Sequence, residues 1–290
     1  MFYSDPHLAY PVRVDKPNPV FARMLQQAIG GIEGEIRVMM QYLFQAWNSR
    51  GPVKYRDMLL NTGTEEIGHI EMLATAVALN LEGAPTHMQE QAITQNPVVG
   101  AIMGGMNPRH FISSAMGALA EDSNGNPFNG SWIVSTGNIA ADMYANVAAE
   151  TSGRTLVTRL YEWTDDPGMK DTLSFLIARD TMHQNQWLAV LEELEQPLPV
   201  PNDFPQAQEK TEFSYSYFVQ SSAPIPDHAR FTEGPSVDGH GQFSKVEAKP
   251  LGQIPTLAPA PLEAHPNVQP GGKGQAVTAG TRTGGKHKKV

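Results

Sequence analysis

The stretch Asn61-Thr-Gly-Thr-Glu-Glu-Ile-Gly-His69-Ile-Glu-Met72 places charged side chains within an apolar helical pattern. Steps of 3 and 4 residues, which keep side chains on one face of an α-helix, connect Leu59, Thr62, Glu66, His69, Leu73 and Ala76. Glu66 and His69 occupy the middle of this face and, at positions i and i+3, point in the same direction. A buried carboxylate is costly unless it is paired or bound to a metal ion. The pattern predicts a core helix that carries two candidate metal ligands.

Three further segments combine an apolar face with a central charged group. In residues 173–194 the face consists of Leu173, Leu176, Asp180, His183, Trp187, Val190 and Leu194. In residues 28–46 it consists of Ala28, Ile32, Glu35, Met39, Tyr42 and Ala46. A less regular face contains Met143, Val147, Glu150 and Val157. Each segment has an acid where a plain helical bundle would have an apolar side chain.

The four segments form two matched pairs. Glu35 and Glu66 are 31 residues apart in the first pair, and Glu150 and Asp180 are 30 residues apart in the second. The separation from the first acid to the histidine is 34 residues for His69 and 33 residues for His183. Two equivalent helical hairpins that face each other would bring together Glu35, Glu66, His69, Glu150, Asp180 and His183. This is the carboxylate–histidine set of di-iron and di-manganese bundles.

Single members of this set have simpler interpretations. A lone Glu-x-x-His pair is common by chance, and Glu150 could pair with Arg154 on a solvated face, a contact of about 0.3–0.5 kcal/mol. Glu65 and Glu71 are predicted to be such surface acids. Seven other histidines are also predicted at the surface: His7, His87, His110, His228, His240, His265 and His287. The ordered set with matched spacings favours a dinuclear metal site.

The helical pattern predicts an all-α, ferritin-like four-helix bundle. Four helices are predicted at residues 19–48, 52–81, 131–163 and 167–194. One long crossover at residues 83–131 contains at most a short helix near residues 109–119, and residues 17–196 show no strand-like alternation of useful length. Gly30, Gly31 and Gly34 each cost about 0.8–1.0 kcal/mol in a helix, which predicts close approach of a neighbouring helix, with loose packing or a helix break as the alternatives.

Proline usage separates the bundle, residues 1–196, from a C-terminal arm, residues 197–290. Thirteen of the 23 prolines lie in the arm, and from residue 271 the chain is rich in glycine, lysine and threonine. Such a segment buries too little apolar surface to order alone. We predict an extended arm that packs on a sister subunit and ends in a basic flexible tail. A contact of this tail with nucleic acid or with an acidic neighbour is the alternative.

Composition excludes several classes of protein. The chain has no cysteine, which excludes disulfides, iron–sulfur clusters and thiol-based peroxidases. The net charge of −9 argues against nucleic acid as a main partner. No apolar run reaches the roughly 18 residues of a membrane span, and no secretory signal is visible. We predict a cytoplasmic protein without a membrane partner.

The sequence resembles the manganese catalases, the non-haem catalases of the ferritin-like superfamily. The resemblance covers nearly the whole chain. Its most specific parts are Ala28-Ile-Gly-Gly-Ile-Glu-Gly-Glu35, Met40-Gln-Tyr42, residues 61–72, Gly137-Asn-Ile-Ala-Ala-Asp-Met143, Ala149-Glu150 and Arg179-Asp-Thr-Met-His183-Gln184.

This resemblance implies two manganese ions per subunit. Glu35 and His69 bind one ion, Glu150 and His183 bind the other, and Glu66 bridges the two. It also implies that Asp180 is a proton-shuttling acid rather than a ligand. Tyr42 is implied as a hydrogen-bond donor that orients a ligand, with packing alone as the alternative.

The resemblance further implies a homohexamer in which the C-terminal arms wrap neighbouring subunits. Some members of the family have an arginine directly before the third-helix glutamate. Here that residue is Ala149, and Arg154, a turn later, is a partial substitute. A structural calcium is left open, with Asp57 and Asn61 at one side of its position.

The implied reaction is the disproportionation of hydrogen peroxide to water and dioxygen, which serves antioxidant defence. Oxygen and imidazole ligands suit manganese and iron alike, so only the resemblance selects manganese. A ferritin-like ferroxidase and a non-catalytic coat or structural relative are the alternatives. The filled ligand positions argue against the structural relative.

Overall fold

The computed structural model describes residues 6–82, 107–194, 214–219, 233–236, 239, 241–247 and 255 of the 290. Contacts between Cα atoms group the chain into two compact units, Met1–Thr211 and Glu212–Val290. The boundary predicted between residues 196 and 197 lies outside the described residues and stays a prediction.

The first unit is a bundle of long helices. They are α1 (Pro19–Gly30), α2 (Glu35–Asn48), α3 (Val53–Glu82), the short α4 (Pro108–Ile112), α5 (Ile139–Trp163) and α6 (Pro167–Leu194). A 3₁₀ turn covers Gly130–Trp132. Helix α2 packs along α3 and α5 along α6, whereas α3 and α6 touch at few points. These two hairpins confirm the predicted helical bundle.

The predicted first helix is in fact two helices, α1 and α2, because the chain breaks at residues 31–34. A Cβ at Gly34 would lie 2.7 Å from the Ile29 carbonyl oxygen, so the break needs glycine there. The interruption also shifts the helical phase. Ile32, predicted on the apolar face, is therefore 45% exposed.

Two other predicted helices are too long. Helix α5 begins at Ile139 rather than at residue 131, since Gly137 has a positive φ of 77° and the Asn138 side chain caps the helix by accepting from the Ala141 N–H. Helix α4 spans Pro108–Ile112 rather than residues 109–119. Both corrections arise from local turn chemistry at helix ends.

An N-terminal segment, residues 6–18, lies across α6 and beside α3. Tyr10 stacks on Phe175 with ring centroids 4.5 Å apart. The backbone of Arg13 passes so close to Gly168 that a Cβ there would be 2.4 Å from the Arg13 carbonyl oxygen. The segment thereby covers part of the α3–α6 side of the bundle.

The apolar core has two parts. One contains the residues of α1 and the ends of α3 and α6 nearest to it, including Leu25, Leu73 and Leu173. The other contains residues of α2, α3, α5 and α6, including Tyr42 of α2 and Trp187 of α6. Along each of α3, α5 and α6, buried charged residues separate the apolar residues of the first core part from those of the second. The bundle therefore encloses a polar centre.

The second unit contains a small sheet, which lies in the C-terminal arm that the sequence predicts only to be extended. Strand β1 (Ser216–Val219) pairs in parallel with β3 (Gln242–Glu247), with Ser216 opposite Ser244. Strand β2 (Gly234–Pro235) pairs with β3 in the antiparallel direction. Such short strands, held by contacts such as that between Tyr217 and Phe243, leave little periodicity in the sequence.

Within the described ranges, none of the helices combines the length and apolar character needed to cross a membrane.

Candidate metal centre

Four long helices contribute buried charged groups to the centre of the bundle. Glu35 is the first residue of α2, Glu66 and His69 lie in the middle of α3, Glu150 lies on α5, and Asp180 and His183 lie on α6. All six are at most 6% exposed. The helix break at residues 31–34 lets α2 begin at Glu35 and brings this acid to the core.

Glu66 lies between the two imidazoles. Its Oε2 is 2.6 Å from Nδ1 of His69 and its Oε1 is 2.9 Å from Nδ1 of His183. The two rings are roughly parallel, with centroids 5.7 Å apart. Each carboxylate oxygen of Glu66 therefore faces a different imidazole.

Glu35 and Glu150 complete two groups of candidate ligands. Nδ1 of His69 is 3.9 Å from Glu35 Oε1, and Nδ1 of His183 is 3.6 Å from Glu150 Oε1. Within each group the three ligand atoms lie within 4.8 Å of one another. Glu66 belongs to both groups, and Asp180 belongs to neither of them.

The polar atoms of Glu66 and of the two imidazoles are close together but not hydrogen-bonded. Among the described residues, neither oxygen of Glu66 and no nitrogen of His69 or His183 has a hydrogen-bond partner. Buried polar atoms are nearly always partnered in folded proteins. Converging oxygen and nitrogen atoms without hydrogen-bond alignment are the arrangement expected of metal ligands, and these donor types suit manganese or iron.

Electrostatics couple Glu66 to the imidazoles. Burial opposes ionisation of Glu66, but contacts with His183 and His69 outweigh it and lower its pKa to about 2. Burial likewise opposes protonation of the rings. Contacts with Glu65 and Glu66 nevertheless raise the pKa of His69 to about 11, and contacts with Glu150, Glu65 and Glu66 raise that of His183 to about 12. Without metal, the positive charges of the two imidazolium rings offset the negative charges of the Glu65 and Glu66 carboxylates.

The other acids hold their protons more tightly. Burial, followed by the charge of Glu66, raises the pKa of Glu35 well above its ordinary value. Burial and the charges of Glu150 and Glu66 raise the pKa of Asp180 to about 8. Burial also raises the pKa of Glu150. The carboxyl groups of the centre cannot all be ionised at once, because their negative charges would repel one another. Bound cations would offset this repulsion.

Tyr42 hydrogen-bonds one of the candidate ligands. Its buried hydroxyl donates to Glu150 Oε1, and its ring packs against Trp187 with centroids 4.9 Å apart. Burial and the charge of Glu150 raise the pKa of Tyr42 well above its ordinary value, so the hydroxyl stays a donor.

A buried amide cluster next to Tyr42 was not predicted from the sequence. Asn146 Oδ1 accepts from Gln41 and from Gln45, each at 2.8 Å. Gln45 also donates to the Val134 carbonyl at 2.9 Å, and Val134 N–H donates to Gln41. The cluster ties residues 133–135 to α2 and α5. Its sequence signal is polar residues on the inner faces that flank Tyr42 and Glu150.

The structure corrects three surface assignments. Glu150 is 3% exposed and contacts Tyr42, while Arg154 donates to Gln184 at 2.7 Å, so a solvated Glu150–Arg154 pair is excluded. His110 is fully buried, because α4 turns it inward. Glu65, unlike the exposed Glu71, contacts Arg179 and both imidazoles. Its i, i+4 spacing to His69 was the available signal.

The other predicted residues are the surface histidines, the residue before Glu150 and the two residues near the predicted calcium. His7 is exposed as predicted, and the other five predicted surface histidines lie outside the described residues. Ala149 is buried beside Glu150. Asp57 and Asn61 are exposed on α3, and the calcium remains a prediction.

Comparisons with known proteins agree with this geometry. The family model described as "Manganese containing catalase" matches residues 1–277. A manganese catalase of Bacillus subtilis (strain 168) is 50% identical over 273 residues, which are 93% of this chain and 99% of the relative. A manganese catalase of Lactiplantibacillus plantarum is 37% identical over 268 residues, 91% of this chain and 98% of that one.

A solved structure is similar as well. The crystal structure of a manganese catalase from Anabaena PCC7120 superimposes with a TM-score of 0.65 at 25% identity, and covers 86% of this chain and 100% of that one. These similarities confirm the predicted resemblance and do not favour a ferroxidase or a structural relative. The chain belongs to the manganese-containing catalase family.

Proposed function

We propose that the buried centre holds two manganese ions. In this proposal Glu35 and His69 bind one ion, Glu150 and His183 bind the other, and Glu66 bridges them. The observation that carries it is the position of Glu66, whose two oxygens face two different imidazoles and which is shared by both ligand groups. The unpartnered nitrogens and oxygens of the centre fit such ions.

The protein is a catalase, and its reaction is the disproportionation of hydrogen peroxide to water and dioxygen. Bound manganese supplies the two-electron redox chemistry of this reaction. The surrounding residues hold the ligands and exclude bulk water, since every candidate ligand is buried. Antioxidant defence is the corresponding physiological role.

Asp180 is the residue that we propose holds and moves protons. O–O cleavage and dioxygen release both need proton transfer, and a positioned carboxyl group can supply it. Asp180 is buried one turn before His183 and belongs to neither ligand group. Its carboxyl group is therefore left for proton transfer near the candidate ligands.

Tyr42 is the residue that we propose orients Glu150. A ligand carboxylate that accepts a hydrogen bond from a fixed donor has fewer orientations available. The Tyr42 ring is held by its contact with Trp187, and its hydroxyl has Glu150 as acceptor. Tyr42 would therefore act on the metals through Glu150.

A homohexamer with exchanged C-terminal arms is the assembly that we propose. The first unit exposes large apolar side chains on α2 and at the start of α3: Phe44 by 39%, Trp47 by 57% and Val53 by 66%. Light scattering should then give six times the chain mass of 31.6 kDa. A monomeric mass would contradict the assembly without affecting the metal proposal. The cytoplasmic location and the calcium stay predictions.

Oxygen evolution from hydrogen peroxide tests the function. We expect rapid evolution from protein loaded with two manganese ions per chain, and loss of it in Glu66→Ala, which lacks the bridging carboxylate. Glu71→Ala is the matched control, because Glu71 lies exposed on the same helix. Absence of evolution from protein shown to hold two manganese ions would overturn the proposal.

A further inference from the structure

Glu65 contacts both candidate histidine ligands through their second nitrogens. Its Oε1 is 3.6 Å from Nε2 of His69, and its Oε2 is 3.2 Å from Nε2 of His183. The Nδ1 atoms of the same rings face Glu66. One carboxylate is thus shared by two imidazoles that belong to different ligand groups.

Arg179 holds this carboxylate with two nitrogens. Its Nε donates to Glu65 Oε1 at 2.6 Å and its Nη2 donates to Oε2 at 3.2 Å. Each oxygen of Glu65 therefore faces one guanidinium nitrogen and one imidazole nitrogen. A two-point arginine–carboxylate contact fixes the orientation of the carboxylate as well as its position.

The Glu65–Arg179 pair spans the side of the bundle where α3 and α6 touch at few points. The side chains are 31% and 29% exposed, so the pair is half-buried. It lies over the outer edges of the rings, while Glu35, Glu66 and Glu150 lie at their inner edges. An ordinary surface ion pair contacts no buried charged group, whereas this pair contacts the buried imidazoles of His69 and His183.

We propose that Glu65, held by Arg179, is a positioning residue that orients both imidazoles with Nδ1 towards the metal pair. The inference rests on the proposed function. A carboxylate accepts hydrogen bonds and repels a lone pair, so a neutral imidazole whose Nε2 faces it would carry its proton on Nε2 and keep its lone pair on Nδ1. Because both rings share one acceptor, a change at Glu65 affects both ligand groups together.

Manganese affinity of the full-length protein tests this role. We expect Glu65→Gln to bind manganese about 10–100-fold more weakly in competition with a chelator, since the amide has one accepting oxygen for two rings. Glu65→Asp should recover part of the affinity. Glu71→Gln should match the wild type. Without metal, Glu65→Gln should melt below the wild type, since the imidazolium rings lose a carboxylate contact, but it should stay folded at the assay temperature. Measuring affinity on folded protein separates ligand orientation from general stability.

Arg179 provides the second pair of variants. Arg179→Gln should also weaken manganese binding, and Arg179→Lys should be intermediate, because a lysine is a point charge without a planar fork. If Glu65→Gln fails to fold, Arg179→Gln decides the question. Wild-type affinity in both Glu65→Gln and Arg179→Gln would overturn the inference.

The two proposals fail in different ways. A wild-type protein that binds two manganese ions and evolves oxygen, with unchanged affinity in the variants, overturns only the role of Glu65. A wild-type protein that binds no manganese pair overturns the proposed function itself.

Discussion

Single side chains at the bundle centre divide into candidate ligands and residues that act beside them. Glu66 is the most strongly constrained ligand, because its oxygens contact two imidazoles within 2.9 Å. Asp180 and Tyr42 belong to the second class, since Asp180 lies in neither ligand group and the Tyr42 hydroxyl donates to the candidate ligand Glu150. Their substitution should therefore change turnover more than metal content.

Asp180→Asn removes the ionisable carboxyl group and keeps its size. We expect two manganese ions to stay bound while turnover falls by about 100-fold or more, because general acid–base catalysis contributes that much. Metal analysis and an oxygen electrode measure the two quantities. Unaltered turnover would exclude the proton-transfer role.

Tyr42→Phe removes the hydrogen bond to Glu150 and retains the ring contact with Trp187. We expect a loss of about 1 kcal/mol in the free energy of unfolding. Turnover should fall roughly 10-fold with manganese retained, because Glu150 is less well oriented. Full turnover in this variant would favour the interpretation that Tyr42 only packs.

At the scale of elements, the break between α1 and α2 is the feature on which the centre depends. It makes Glu35 the first residue of α2, where the helix dipole favours the ionised carboxylate that a metal ion would bind. The chain near Glu121 passes directly over the end of α1. A Cβ at Gly30 would lie 2.4 Å from the Glu121 backbone nitrogen. The close approach is made by a loop and not by the predicted neighbouring helix.

Gly30→Ala should destabilise this junction. The added methyl group has no space, and overpacking of this kind costs about 1–3 kcal/mol. Thermal unfolding should show a lower melting temperature, and manganese affinity should fall because Glu35 is displaced. Gly51→Ala is the control, since a Cβ there meets nothing within 4 Å. Equal melting temperatures for the two variants would contradict the steric argument.

At the scale of the whole molecule, the centre links both hairpins through buried charge. Ions bound there would contact α2, α3, α5 and α6 at once, and a ligand that binds only the folded state stabilises it. The same groups titrate in the metal-free protein. Metal binding and stability should therefore depend together on pH.

Metal-free protein should lose stability as pH rises. The pKa values of His69 and His183 are raised to about 11 and 12, so their contribution is complete below the unfolded value of about 6.5 and declines above it. Manganese needs deprotonated imidazoles and releases these protons. We expect excess manganese to raise the melting temperature more at pH 8 than at pH 6. Magnesium serves as the control, and an equal rise at both pH values would contradict the linkage.

Regular helical spacing accounts for the parts of the fold that were predicted correctly. Helix α6 has the predicted bounds, residues 167–194, and α3 differs from its predicted bounds by one residue at each end. The inward faces of these helices carry Glu66, His69, Asp180 and His183 as buried residues. Periodicity alone suffices here, because an uninterrupted helix fixes the direction of every side chain.

The helical hairpins, their apolar faces and the candidate ligands could be derived from the amino-acid sequence, since they follow from local spacing. Three features emerge only from the three-dimensional fold: the phase shift at residues 31–34, the amide cluster around Asn146 and the contacts of Glu65 with both imidazoles. Each depends on groups from different helices or loops that meet in space. Glu65 shows the difference most clearly, because an acid at i, i+4 from a histidine is ordinary on one helix. Its role can be inferred only from the folded structure, in which α6 brings Arg179 and His183 to the same carboxylate.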